Sequence, residues 1–102
     1  MEPFDDNLNN MMDFPKGGIN SNVLAKTDKL NHTLMCLSKG TDIDTHTSTK
    51  NGCVYVVKGK GMFKLFDKDI LMEPGTYIFM PANAPHSLKA ESDLAILLCL
   101  SE

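Results

Sequence analysis

No stretch of this 102-residue chain keeps apolar residues at helical spacing for ten positions; short apolar runs alternate with turn signals instead. Val23-Leu24-Ala25 is a brief patch, and Leu30 to Ser38 reads as a strand closed by Lys39-Gly40. Further strands are Cys53–Val57, Met62–Phe66, Ile70–Met72, Thr76–Met80, His86–Ala90 and the run Leu94–Leu100. Gly59-Lys60-Gly61 predicts a tight hairpin with positive φ between the first two of these, Asp67-Lys68-Asp69 joins the next two, and Glu73-Pro74-Gly75 is a turn. Thr41 to Asn51 is polar and dense in Thr, Asp and Ser, with β-branched threonines that tolerate an extended backbone. Many short strands at regular spacing imply an all-β sandwich or barrel.

Length bounds this to one domain with one core. Residues 1–18, rich in Asn, Asp and Met, show no sustained period and read as an arm, flexible or covering an interface, hinged at Gly17-Gly18. Residues 19–102 form the β domain. The run Leu94–Leu100 is apolar on both faces, so it needs a cover beyond the barrel interior. A second copy in a homodimer is one such cover; the arm, through Phe4, Leu8, Met11 and Met12, is the other.

Charge narrows the partners. The formal net charge is -3, arginine is absent and the ten lysines are scattered, which gives no footprint for nucleic acid. No apolar run is long enough for a membrane span, and the acidic start, Met1-Glu2-Pro3-Phe4-Asp5-Asp6, lacks the features of a secretion signal. The expected location is the cytoplasm. Three cysteines without a C-x-x-C pair fit a reducing compartment and predict buried thiols, with Cys53 facing outward from its strand.

Two histidines carry the chemistry. His46 ends the segment that opens at Gly40, and His86 follows the one that opens at Gly75. Remote in sequence but similarly placed, they predict one pocket inside the barrel. His32, on the strand Leu30–Ser38, is read as a surface or interface residue. No Ser-His-Asp or Cys-His arrangement for nucleophilic catalysis can be assembled.

Gly40 to Gly59 resembles the first cupin motif, G-x5-H-x-H-x3-E-x6-G, and Gly75 to Ala90 resembles the second, G-x5-P-x-G-x2-H-x3-N. Gly40, His46, Gly59, Gly75, Pro81 and His86 match at the expected intervals. The resemblance implies a small single-domain cupin, a double-stranded β-helix of jelly-roll type, often dimeric. In metal-binding cupins three histidines and a glutamate of these motifs hold one divalent ion. Here Ser48 stands for the second histidine, Gly52 for the glutamate, Asn83 for a glycine and Ala90 for the asparagine. Only His46 and His86 remain as metal candidates, for nickel, zinc, iron or manganese. Two donors fall short of the three or four a tightly held transition metal takes from protein, with Asp42 or Asp44 the nearest recruits.

By alternation from the motif histidines, Val54, Val56, Ile78 and Met80 face inward, joined by Phe63 and Leu65 and with Met35 as a contributor. An apolar wall with His46, Ser48 and His86 as its polar groups suits a small organic ligand. The opposing expectation is a solidly packed barrel in which the two imidazoles bond to each other, to Ser48 or to water. The function expected is therefore small-molecule binding, with a weakly held divalent metal on His46 and His86. The alternative is a metal-dependent enzyme of the dioxygenase or isomerase type. A DNA-linked regulator has no room in this chain for its DNA-binding domain.

Overall fold

The computed structural model describes residues 1–102. Nine strands follow in order: β1 (Ile19–Lys26), β2 (Leu30–Leu37), β3 (Asp42–His46), β4 (Asn51–Lys58), β5 (Gly61–Leu65), β6 (Lys68–Met72), β7 (Tyr77–Met80), β8 (His86–Ala90) and β9 (Leu94–Ser101). They form two sheets, ordered β1-β2-β9-β4-β7 and β3-β8-β5-β6, with every pairing antiparallel. The architecture is the all-β jelly-roll barrel that the strand pattern and the motif resemblance imply.

The core lies between the sheets. Val54, Val56, Phe63, Met72, Leu94 and Ile96 are all at most 2% exposed and belong to one cluster. The polar segment after Gly40 folds as β3, whose burial pattern shows no alternating apolar signal. It is an edge strand, and edges tolerate charged and hydroxyl side chains.

Gly59-Lys60-Gly61 does not close a hairpin. β4 and β5 belong to different sheets, so this link is a corner where the chain crosses the barrel. Of its two glycines only Gly59 has positive φ, at 91°. The true hairpin is β5–β6, which turns through Phe66 and Asp67; Lys68 already pairs with Leu65. A register shift against β9 between Val56 and Lys58 precedes that corner.

The outer face of the five-stranded sheet is apolar as well. The arm lies across part of it: Met11, Met12 and Phe14 pack on Leu34, Cys36 and Ala95. The arm thus meets β9 at Ala95; of the arm residues expected there Met11 and Met12 take part, joined by Phe14, while Phe4 is exposed. Beyond the arm, Tyr55, Tyr77 and Phe79 remain exposed on the same face.

Of the three free cysteines only Cys36 is buried; Cys53 and Cys99 are half-buried on this outer face, opposite one another on β4 and β9. The expectation of three buried thiols holds for Cys36 alone: Cys53 faces outward, as alternation predicts, and β9 presents its odd-numbered residues, Cys99 among them, away from the core. Burial first, and the neighbouring Cys53 thiol second, push the Cys99 thiol up from 9.0 to about 11. The folded chain thus holds this proton more tightly than the unfolded chain does. The associated stability is fully present below about pH 9 and is lost as pH rises through about 11. Urea midpoints measured across that window should fall more for the wild type than for Cys99→Ser; equal falls would contradict the assignment.

Candidate functional site

β3 and β8 pair at Asp42↔Lys89 and Ile43↔Leu88, then slip by one residue before His46↔His86. Unbroken pairing would set Thr45 opposite His86. The bulge places His46 there instead, and re-aiming a side chain is what bulges beside sites do. The ring centroids of His46 and His86 are 4.2 Å apart with planes inclined at 59°. On its other side His86 lies parallel to Phe63, at 5.8 Å and 7°. His86 is 9% exposed, whereas His46 stands at the exposed mouth.

Backbone carbonyls set the tautomers. His46 Nδ1 lies 2.9 Å from the Asp44 carbonyl oxygen, and His86 Nδ1 lies 2.9 Å from that of Ala84. A carbonyl only accepts, so each Nδ1 carries the hydrogen and donates. In the neutral rings each Nε2 then holds a lone pair. The rings do not hydrogen-bond each other or Ser48. No buried side-chain nitrogen or oxygen lacks a partner, so His86 Nε2 reaches open space.

Both imidazoles line an apolar cavity of about 210 Å³. Among the residues expected at the pocket, His46, His86, Val54, Phe63 and Met80 line it, and Met35 joins them. Val56 and Ile78 face inward but do not line it; they are 0% and 3% exposed and fill the solid part of the barrel below. Leu65 packs against the core without lining the cavity. Ser48 does not line it either: its hydroxyl accepts a hydrogen bond from the Lys50 backbone N–H at 3.1 Å. The residues that sequence reasoning missed are Ile43, Leu88, Ile96 and Leu98. Alternation from His86 along β8 could have flagged Leu88, whereas β9 is apolar on both faces and β3 carries no apolar pattern, so neither marks Ile96, Leu98 or Ile43.

The donor set does not fit a tightly bound metal. Two imidazoles are present, and nowhere do three or more His, Cys, Asp or Glu side chains gather. Asp42 and Asp44 do not line the cavity. Gly52 occupies the position of the missing carboxylate, and space there is taken: a Cβ would lie 2.9 Å from Leu100 Cδ2 and 3.1 Å from Met80 Cε. The side chains of Leu100 and Met80 thus pack where the motif's carboxylate side chain would begin. Asn83, where the motif has glycine, adopts φ 69° and keeps the left-handed turn before His86, which asparagine tolerates better than most residues.

The sequence profile of the cupin domain matches residues 33–101. A conserved protein of unknown function from Streptococcus pyogenes superposes with a TM-score of 0.88 at 24% identity, covering 100% of this chain and 90% of that one. A cupin superfamily protein from Desulfitobacterium hafniense gives 0.87 at 16% identity, over 92% of this chain and 86% of that one. A cupin 2 conserved barrel domain protein from Leptotrichia buccalis gives 0.87 at 30% identity, over 95% of this chain and 47% of that one. A search of curated proteins by sequence returned no match.

Proposed function

The chain belongs to the cupin family, and from that premise we propose that it binds a small organic molecule in the barrel, anchored by His46 and His86. The observation that carries this reading is the pair of Nε2 lone pairs, tautomers set by backbone carbonyls, beside an apolar cavity. A ligand suited to it has a compact apolar body and one O–H or N–H group to donate to an imidazole. About 210 Å³ lies below the roughly 300–1,000 Å³ of drug-sized sites, so the body is small. His86, nearly buried and stacked on Phe63, is the fixed anchor.

The second reading is a divalent ion, such as nickel or zinc, held weakly on the same two Nε2 atoms and completed by water. The tautomers favour it, since a ligating imidazole commonly donates its other N–H to a carbonyl. The donor count weighs against the metal-dependent dioxygenase or isomerase alternative.

Thermal-shift screening of small alcohols, amines and acids separates these readings. A ligand at a hundred times its Kd stabilises by about 2.7 kcal/mol, a Tm rise of roughly ten to twenty degrees for a chain this size. We expect such a rise from an organic compound without added metal, lost in His86→Ala. A rise with nickel or zinc alone, lost in both His46→Ala and His86→Ala, would replace the organic ligand by the ion.

A further inference from the structure

We propose that Cys53 and Cys99 are a redox-modification site on the outer face of the five-stranded sheet, closing a cross-strand disulfide when a low-molecular-weight disulfide oxidises them. The pair stands apart from the histidine cavity, on the other side of the same strands.

Register makes the bond feasible. Cys53 and Cys99 are direct partners across β4 and β9. Opposed residues of an antiparallel pair have Cα atoms about 4.5 or 5.5 Å apart, depending on the pair type. Both values lie within the roughly 4.4–6.8 Å that a disulfide spans. Directly opposed residues also point to the same face, so no strand needs to rotate.

Access distinguishes this pair from the third thiol. Both cysteines are half-buried, while Cys36 is 2% exposed beneath the arm. A depression of about 200 Å³ opens over the pair, with His32, Tyr77 and Phe79 among its walls. His32 is the partner of Cys99 on the other flank, across β2 and β9. The sheet thus carries a transverse row, His32–Cys99–Cys53–Phe79.

The chemistry is a two-step exchange. The Cys53 thiolate attacks one sulfur of R–S–S–R, forming a mixed disulfide and expelling RS⁻. The Cys99 thiolate then attacks the protein-side sulfur, closing the Cys53–Cys99 bond and expelling a second RS⁻. The two protons released by the protein end on the two RS⁻ groups. Two protein thiols are oxidised and one small disulfide is reduced to two thiols.

The test treats the full-length wild type with oxidised glutathione and measures intact mass and free thiols. Expected is a monomer lighter by two hydrogens, with one free thiol remaining of the three, assigned to Cys36 by peptide mapping. In Cys53→Ser and Cys99→Ser the surviving member of the pair should instead hold a stable glutathione adduct, and dithiothreitol should reverse every product. A wild type that keeps all its thiols would overturn the proposal. So would stable adducts on both cysteines, or a bond between two chains.

Discussion

Gly59→Ala is expected to cost on the order of 4 kcal/mol or more, in the range that only special backbone strain or a severe packing defect reaches. Against a typical total stability of about 5–15 kcal/mol, that brings a small domain close to unfolding. Two effects combine at this corner. Gly59 has φ 91°, which L side chains rarely adopt. An added Cβ would also fall well inside contact distance of the Asp93 carbonyl oxygen, with the Asp93 carbonyl carbon at 2.9 Å and Leu94 Cα at 3.0 Å. All three atoms are backbone, so no rotamer change relieves the clash. Leu94 is a fully buried residue at the start of β9, which ties the corner to the core. Gly17→Ala is the matched control, since nothing lies within 4 Å of its Cβ position and its φ is ordinary. Urea unfolding followed by circular dichroism should show a large fall in midpoint for the first variant and almost none for the second. Matching midpoints would refute the account of the corner.

Phe63→Ala is expected to cost about 3–5 kcal/mol, the usual range for deleting a buried aromatic ring. Phe63 is 1% exposed, sits in the main core and forms a wall of the histidine cavity. Its loss therefore does more than lower stability. It removes the ring lying parallel to His86 and enlarges the space into which that imidazole could tilt. Phe63→Leu separates the two effects, because it keeps most of the buried volume and discards only the aromatic face. Leucine at this position should recover most of the unfolding free energy while still shifting the His86 ring resonances in the NMR spectrum. If both variants leave those resonances unmoved, the stack does not hold His86 in place.

The motif histidines and the alternation around them were legible in the sequence. Period-2 patterning assigned Val54, Val56, Phe63, Ile78 and Met80 to the interior, and their burial agrees with it. What alternation does not encode is depth along the barrel axis. Val56 and Ile78 share an inward orientation with Val54 and Met80, yet the former pair closes the barrel and the latter borders the cavity. That distinction depends on how far apart the two sheets stand at each level. The β4–β5 link departs from a hairpin for a related reason: two glycines between apolar runs signal a sharp change of direction, whether the chain folds back or crosses to the opposite sheet. The decisive interaction, the approach of Gly59 to Asp93, is 34 residues away in sequence. The bulge that brings His46 opposite His86 lies in a segment of threonines and aspartates, where no apolar residue marks the register.

The order β3-β8-β5-β6 makes the two imidazoles mechanically unequal. His86 rides on a strand clasped from both sides, whereas His46 hangs from a border strand with a single ladder of hydrogen bonds. Borders open at lower free energy than strands inside a sheet. A guest arriving at the barrel would therefore meet one rigid hook and one compliant finger, and molecules of slightly different girth could be gripped without disturbing the deeper of the two.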